Sequence, residues 1–358
     1  PYSGLIRVIM NRGFQIGARL FAALMLAATA SCDNVNWGGA DVAIVPPPPR
    51  ADALPASAED TTADPLPQGP LLLYVVPSGD AGTMVPIAEI SGDSLLPLHG
   101  QSDAGAYANR LIQAHMRRGS EFVLYRRGTR VGNFVLQQTT LPGQDVCPML
   151  PIARGTLELA SRAQPIPEYL AIAKVSAPEM GRNVEFTTVP TRNMQVIAPI
   201  LAEKMIRARG ADLPGNWQRA MAQLQPFPMS GSRDAGFAAT FLVGDDLNTG
   251  GDNLGYSVFF IGEPGAQFGY DTTFVSFNNY PQTGKAAPRL VDFLDWNRDG
   301  QVDLLIQMYG VTGTWFEAVS RNQRGEWQRA FRDKCDKPSA SVIPQPDTTA
   351  VQPADSAG

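Results

Sequence analysis

Histidine, the commonest acid–base side chain of enzymes at neutral pH, occurs only twice in this 358-residue chain, as His99 and His115. "PLHG" surrounds the first and "QAHMRR" the second, and neither setting carries a nucleophile or a metal-ligand spacing. G-x-S-x-G, H-E-x-x-H and G-x-x-x-x-G-K-[ST] are missing as well, so no signature points to serine hydrolysis, zinc proteolysis or a nucleotide phosphate. Basic charge is scarce. The net charge is −5, and without residues 1–32, which hold Arg7, Arg12, Arg19 and no acid, it becomes −8. Nucleic-acid binding depends on neutralising phosphates with Lys and Arg, and such a chain is poorly equipped for it. Long apolar runs are lacking too: "LFAALMLAATA" (20–30) falls far short of the ~20 residues that span a bilayer. Cysteines number three, Cys32, Cys147 and Cys335.

What the chain does have begins with an address. Arg12 and Arg19 precede the apolar run 20–30, the layout of a signal peptide over 1–32, with Met10 the expected start. The run ends in "ATASC". Small residues directly before Cys32 resemble the lipobox of bacterial lipoproteins. The resemblance implies that Cys32 is acylated after cleavage and that the mature protein is anchored to a membrane of the cell envelope, facing the periplasm or the outside. The alternative is ordinary cleavage after "ATA", with Cys32 a spare thiol. If Cys32 carries lipid, Cys147 and Cys335 remain as an even pair in an oxidising compartment, where a disulfide persists. The alternative there is two buried thiols that never meet.

Composition then divides the chain. Residues 33–69, including "VPPPPRADALPASAEDTTADPLPQG", have no apolar periodicity and read as a disordered tether. A coil of that length reaches roughly 30–35 Å, enough to hold a domain off a membrane surface. Residues 337–358 have the same character. Between them the pattern predicts a β-rich α+β fold in two parts. The first, 70–164, is a small β module: strands "LLLYVV" and "MVPIAEI", a helix over 104–119 with Ala108, Leu111, Ile112 and His115 on one face, the hairpin "EFVLYRRGTRVGNFVLQ", and strand "TLELA". The second, 165–336, opens with strands "YLAIAKV" and "VEFTTV". Two short helices follow, "APILAEKMIRARG" and "NWQRAMAQLQ", then an antiparallel meander of about seven strands from "FAATFLV" to "EWQRAF".

The most specific motif is "DWNRDGQVDL" (295–304), lying between strands "RLVDFL" and "DLLIQMY". Oxygen-bearing side chains at alternate positions of a tight turn converge on its interior, the arrangement hard cations such as Ca²⁺ require. Asp295, Asn297 and Asp299 take places one, three and five, Gly300 makes the turn at six, Gln301 offers its carbonyl at seven and Asp303 follows at nine. An EF-hand needs Glu at twelve and a helix after the loop; Ile306 and a strand stand there instead. The loop resembles the calcium loop of FG-GAP/VCBS-type repeats, found in integrin-like β-propellers and many secreted bacterial proteins. That resemblance implies Asp295, Asn297, Asp299, Gln301 and Asp303 as ligands of a structural calcium. One intact copy is present, so a closed propeller is not expected; "VGDDLNTGGDNLGY" (243–256) is a candidate decayed copy. The bland alternative is a polar turn without metal, since Asp, Asn and Gly dominate turns anyway.

These features lead to an expectation of function. It is a membrane-tethered envelope lipoprotein with a calcium-stabilised β-rich domain in a binding or structural role, its partner unknown, with an envelope polysaccharide or protein as candidates. The alternative is a secreted hydrolase of polysaccharide or peptidoglycan using paired carboxylates, with Asp245, Asp246, Asp252 and Glu263 as candidates. Two further features carry a binding reading beside a bland one. The arginines from Arg117 to Arg130 could dock on anionic lipid or polysaccharide, or merely protect a hairpin edge. Trp296 and Trp315 could stack on sugar, or pack in the core.

Overall fold

In the computed structural model, residues 64–98, 104–141, 150–160, 167–177, 189–265 and 269–333 are described. "LLLYVV" becomes β1 (Leu71–Ser78), with Leu71 to Val76 all buried. The unbroken apolar run has a cause: β1 is covered on both faces. Leu71, Leu73 and Val75 turn into one cluster with Phe122, Leu124, Phe134 and Tyr169. Leu72, Tyr74 and Val76 turn into another with Val291, Leu305 and Phe316. Burial on one face alone would have left alternation.

The first cluster fills a closed sheet. β2 (Ala81–Ser91), β4 (Glu121–Arg126), β5 (Thr129–Thr140), β6 (Ile152–Leu159) and β7 (Tyr169–Ala173) join β1 in the order β1-β7-β4-β5-β6-β2, and β2 pairs back with β1. β2 shares its other edge between β6 and the short β3 (Ser94–Pro97). All these pairings are antiparallel. Where β6 pairs with β5, Gly155 allows a close approach: a Cβ there would lie 2.2 Å from the Val135 carbonyl oxygen. Helix α1 (Ala104–His115) adds Tyr107 and Leu111 to the interior cluster. β7 lies beyond 164, the expected end of the first module, so the strands of that module run on to 173.

Two further sheets complete the fold, each a four-stranded antiparallel meander. One is β8 (Met221–Phe227), β9 (Gly236–Val243), β10 (Tyr256–Pro264) and β11 (Tyr270–Asn279); the other is β12 (Ala287–Leu294), β13 (Asp303–Tyr309), β14 (Thr314–Arg321) and β15 (Trp327–Arg332). The expected meander is thus two sheets, broken at the single-turn α3 (Tyr280–Thr283). Its first strand comes from a segment read as helix. "NWQRAMAQLQ" forms one 3-10 turn (Trp217–Ala220) and then β8. Trp217, Met221 and Leu224 fit a helical face, yet pairing with β9 supplies the backbone partners and Pro226 cannot continue a helix. The other expected helix forms as α2 (Arg192–Ala208), capped where the Thr191 hydroxyl accepts from Met194 N.

The β12–β15 sheet is the middle layer. One face shares a core with the barrel through Val291, Leu294, Leu305, Phe316 and Phe331; the other shares one with the β8–β11 sheet through Leu290, Phe293, Leu304, Ile306 and Val319. α2 covers the far side of the β8–β11 sheet with Met194, Ala198, Ala202 and Ile206. All described residues fall in one compact unit.

Several expectations meet other outcomes. The tether was expected to extend to 69, but residues 64–69 are held on the barrel: the Glu89 carboxylate accepts from Gln68 N (2.8 Å) and Gly69 N (2.6 Å), and the Arg110 guanidinium donates to the Asp64 carbonyl (2.6 Å). The strand expected at 184–189 falls almost entirely outside the described residues, as do the signal peptide, residues 33–63 and the tail 337–358.

Candidate metal centre

The middle sheet places "DWNRDGQVDL" at one end of the β12–β13 hairpin. Asp295 directly follows β12, and Asp303 is the first residue of β13, paired with Leu294. Gly300 has φ +83 and Arg298 φ +65, so the chain folds back through left-handed backbone, which at Arg298 is strained for a side chain. The Arg298 guanidinium is pinned to the Ser176 carbonyl at 2.8 Å.

Inside the loop each side chain first serves the turn. Gly300 N donates to Asp295 Oδ2 (3.0 Å), Asp299 N to Asn297 Oδ1 (3.1 Å) and Gln301 N to Asp299 Oδ1 (2.7 Å). That is the turn chemistry the bland reading expects. It does not use every oxygen. Asp295 Oδ1 and Asp303 Oδ2 are buried and accept no hydrogen bond. The Ser320 hydroxyl lies near enough to Asp303 to favour its ionised form, but neither atom completes a hydrogen bond. Burial pushes the Asp303 carboxyl up to about 8, aided by the charges of Asp299 and Asp295; burial raises Asp295 as well. Burial disfavours charge on both acids, and a divalent cation bound between them would reverse that preference.

The donor set fits calcium: carboxylate, carboxamide and backbone oxygens with no sulfur or imidazole. As they stand, no three Asp, Glu, His or Cys side chains among the described residues come together to hold a metal ion. Asp299 is exposed and Asn297 half-exposed, whereas Asp303 is buried. Trp296, inside the loop, is 4% exposed and packs in the core shared by barrel and middle sheet, so it presents no face to a sugar. Trp315 is partly buried, with its Nε1 donating to Glu317 at 3.1 Å.

The remaining candidates lie elsewhere. Asp245 follows β9, and Glu263 sits near the end of β10, seven residues on from Tyr256, which pairs with Val243. At ~3.3 Å per residue their separation along the strand exceeds roughly 20 Å, while glycosidase carboxyl pairs lie about 5–9.5 Å apart. Each also has a cation of its own. Lys285 Nζ lies 2.5 Å from Asp245 Oδ1, and the Arg321 guanidinium contacts Glu263. Asp246 and Asp252 are exposed.

Segment 243–256 joins the second and third strands of its sheet, whereas the candidate calcium loop joins the first and second; the two are not at equivalent places. Its polar residues close on the fully buried Lys285 ammonium, which reaches Asn248 Oδ1 at 3.4 Å as well as Asp245.

The arginine stretch also divides. Arg126 turns inward, donating to the Val291 carbonyl (3.0 Å) beside Asp292 (3.5 Å) and Glu168 (3.6 Å), while Arg130 lies outside and bonds Asn133. His115 Nε2 lies 3.1 Å from the Pro67 carbonyl, a structural contact. Cys32, Cys147, Cys335 and His99 lie outside the described residues. Reading the sequence missed one polar feature, a buried network between barrel and middle sheet. Arg289 binds Glu168 through both guanidinium nitrogens at 2.6 Å, and also reaches Tyr309 and Gln307. The partners are 121 residues apart, and no local pattern announces them.

Comparison with protein-family models, curated proteins and solved structures gives no match. Among the described residues no helix is long and apolar enough to cross a membrane.

Proposed function

We propose that the protein is a membrane-tethered envelope lipoprotein whose β-rich domain is stabilised by calcium and serves a binding or structural role. The observation that carries the calcium reading is the pair of buried, unbonded carboxylate oxygens at Asp295 and Asp303, on the two arms of one hairpin. Burying an ionised group without a partner is costly, and a hard cation with further oxygen donors offsets that cost. Asp295, Asn297, Asp299, the Gln301 carbonyl and Asp303 would hold the ion. When bound, it supplies charge and coordination that tie the end of β12 to the start of β13. The anchor rests on "ATASC" at Cys32 and on the Pro-rich stretch after it, and the acidic mature chain argues against nucleic acid as a partner.

Scanning calorimetry in chelator and in millimolar Ca²⁺ tests the metal. At a hundredfold excess over Kd the ion stabilises by about 2.7 kcal/mol, an upward shift of roughly 5–10 °C for a domain of this size. Superimposable endotherms would overturn the calcium reading. Metabolic labelling with a fatty acid, lost in Cys32→Ser, tests the anchor.

A further inference from the structure

The loop is one wall of a groove. A cavity of about 790 Å³ opens between the loop, the β14–β15 turn and the β2–β3 turn, lined among others by Asp93, Asp299, Gln301, Arg324, Gln328 and Arg329. Its chemistry is one-sided. Ala330 is the only aliphatic residue of the lining; the rest are carboxamides, hydroxyls, acids, guanidiniums and one glycine. Such a surface offers no apolar pocket to a hydrophobic side chain. It offers paired donors and acceptors to a hydroxyl-rich ligand.

Charge narrows the ligand. Arg321 is held by Glu263 and stacks over Trp327 at 4.4 Å, and Arg329 is held by Glu317 at 2.8 Å. The Arg324 side chain is exposed and forms no ion pair with any described residue. On the opposite wall, Asp299 and Gln301 belong both to the groove and to the candidate calcium loop. If each binds through one oxygen, the five residues of the loop supply fewer than the six to eight oxygens that calcium takes. An ion held that way would keep room for oxygens from outside, and Asp299 and Gln301 bring the loop to the edge of the groove.

We propose that the groove binds a carboxylate-bearing polysaccharide, whose acid groups complete the coordination of the loop's calcium and pair with Arg324. This rests on the calcium reading above. Hydroxyls of the same chain meet Gln328 and the other carboxamides, and a guanidinium beside a divalent ion selects carboxylated sugars over neutral ones.

Titration calorimetry of the purified protein with trigalacturonate tests it, with maltotriose as the neutral match. Binding is expected in millimolar Ca²⁺, at least tenfold weaker in chelator, for maltotriose, and for Arg324→Ala. That variant should keep the wild-type calcium shift in melting temperature, which separates a lost contact from a lost fold. A calcium-dependent melting shift without trigalacturonate binding sinks the groove and leaves the calcium reading standing; absence of both sinks the two together. Binding that ignores chelator or Arg324→Ala overturns the proposal, as does binding confined to polyglutamate or to a phosphorylated polymer.

Discussion

Two aspartates decide the residue scale, and they differ in what surrounds them. Asp303 has a buried oxygen that completes no hydrogen bond, the Ser320 hydroxyl standing near it, and on the calcium reading its worth depends on a cation. Asp303→Asn removes that charge. In chelator the variant should melt no lower than wild type, but added Ca²⁺ should no longer raise its melting temperature. A wild-type calcium response in the variant would exclude Asp303 as a ligand. Asp292 is as deeply buried but well supplied: Arg127 N and Phe293 N donate to its carboxylate at 2.8–3.0 Å. Burial still pushes its carboxyl up to about 6, against the Arg126 charge and these backbone donors. A carboxyl whose folded pKa exceeds its unfolded value binds its proton more tightly when folded. Its favourable contribution is therefore present below about pH 4 and is lost as pH rises through about 6. Asp292→Asn has no such proton to lose. Measured by urea midpoints, its stability relative to wild type should rise by up to about 3 kcal/mol from pH 4 to pH 7, at ~1.36 kcal/mol per pKa unit. A difference that stays flat with pH would mean that Asp292 is ionised in the folded protein throughout.

At the scale of elements, what the sequence discloses is set by how local the cause is. β1 was legible as a strand because six consecutive apolar residues are buried, and the hairpin β4–β5 because Arg127 and Gly128, both at positive φ, make a two-residue turn. β8 was misread because Trp217, Met221 and Leu224 suit a helical stripe, while its strand depends on a partner, β9, that propensity does not contain. β3, four residues long, exists only as an addition to the end of β2. The loop was legible as a set of residues; that two of its oxygens are buried and complete no hydrogen bond was not, because burial depends on residues distant in the chain. The Glu168–Arg289 pair is the extreme case, joining the residue before β7 to β12. Removing one partner strands a buried charge, so Glu168→Leu and Arg289→Met should each cost about 3–5 kcal/mol by chemical denaturation. The double replacement Glu168→Leu with Arg289→Met should recover much of that loss. Additive losses in the double variant would show that the two residues are not coupled and that neither loss comes from stranding the other's charge.

For the whole molecule the decisive feature is the position of the β12–β15 sheet, which gives one face to the barrel core and the other to the β8–β11 core. A middle layer of this kind cannot unfold without exposing apolar surface on both neighbours, and the Glu168–Arg289 pair adds a polar tie across one of the interfaces. Cooperativity should therefore extend across the described residues, and calorimetry should show a single endotherm. The candidate calcium loop belongs to that layer, so the ion is linked to the global equilibrium and not to local fraying. Calcium should move the entire endotherm without splitting it, and amide hydrogens of β1 in the barrel should gain protection along with those of β13. A calcium effect confined to the loop and the ends of β12 and β13 would mean that the layers unfold separately, and that the ion holds a turn and nothing more.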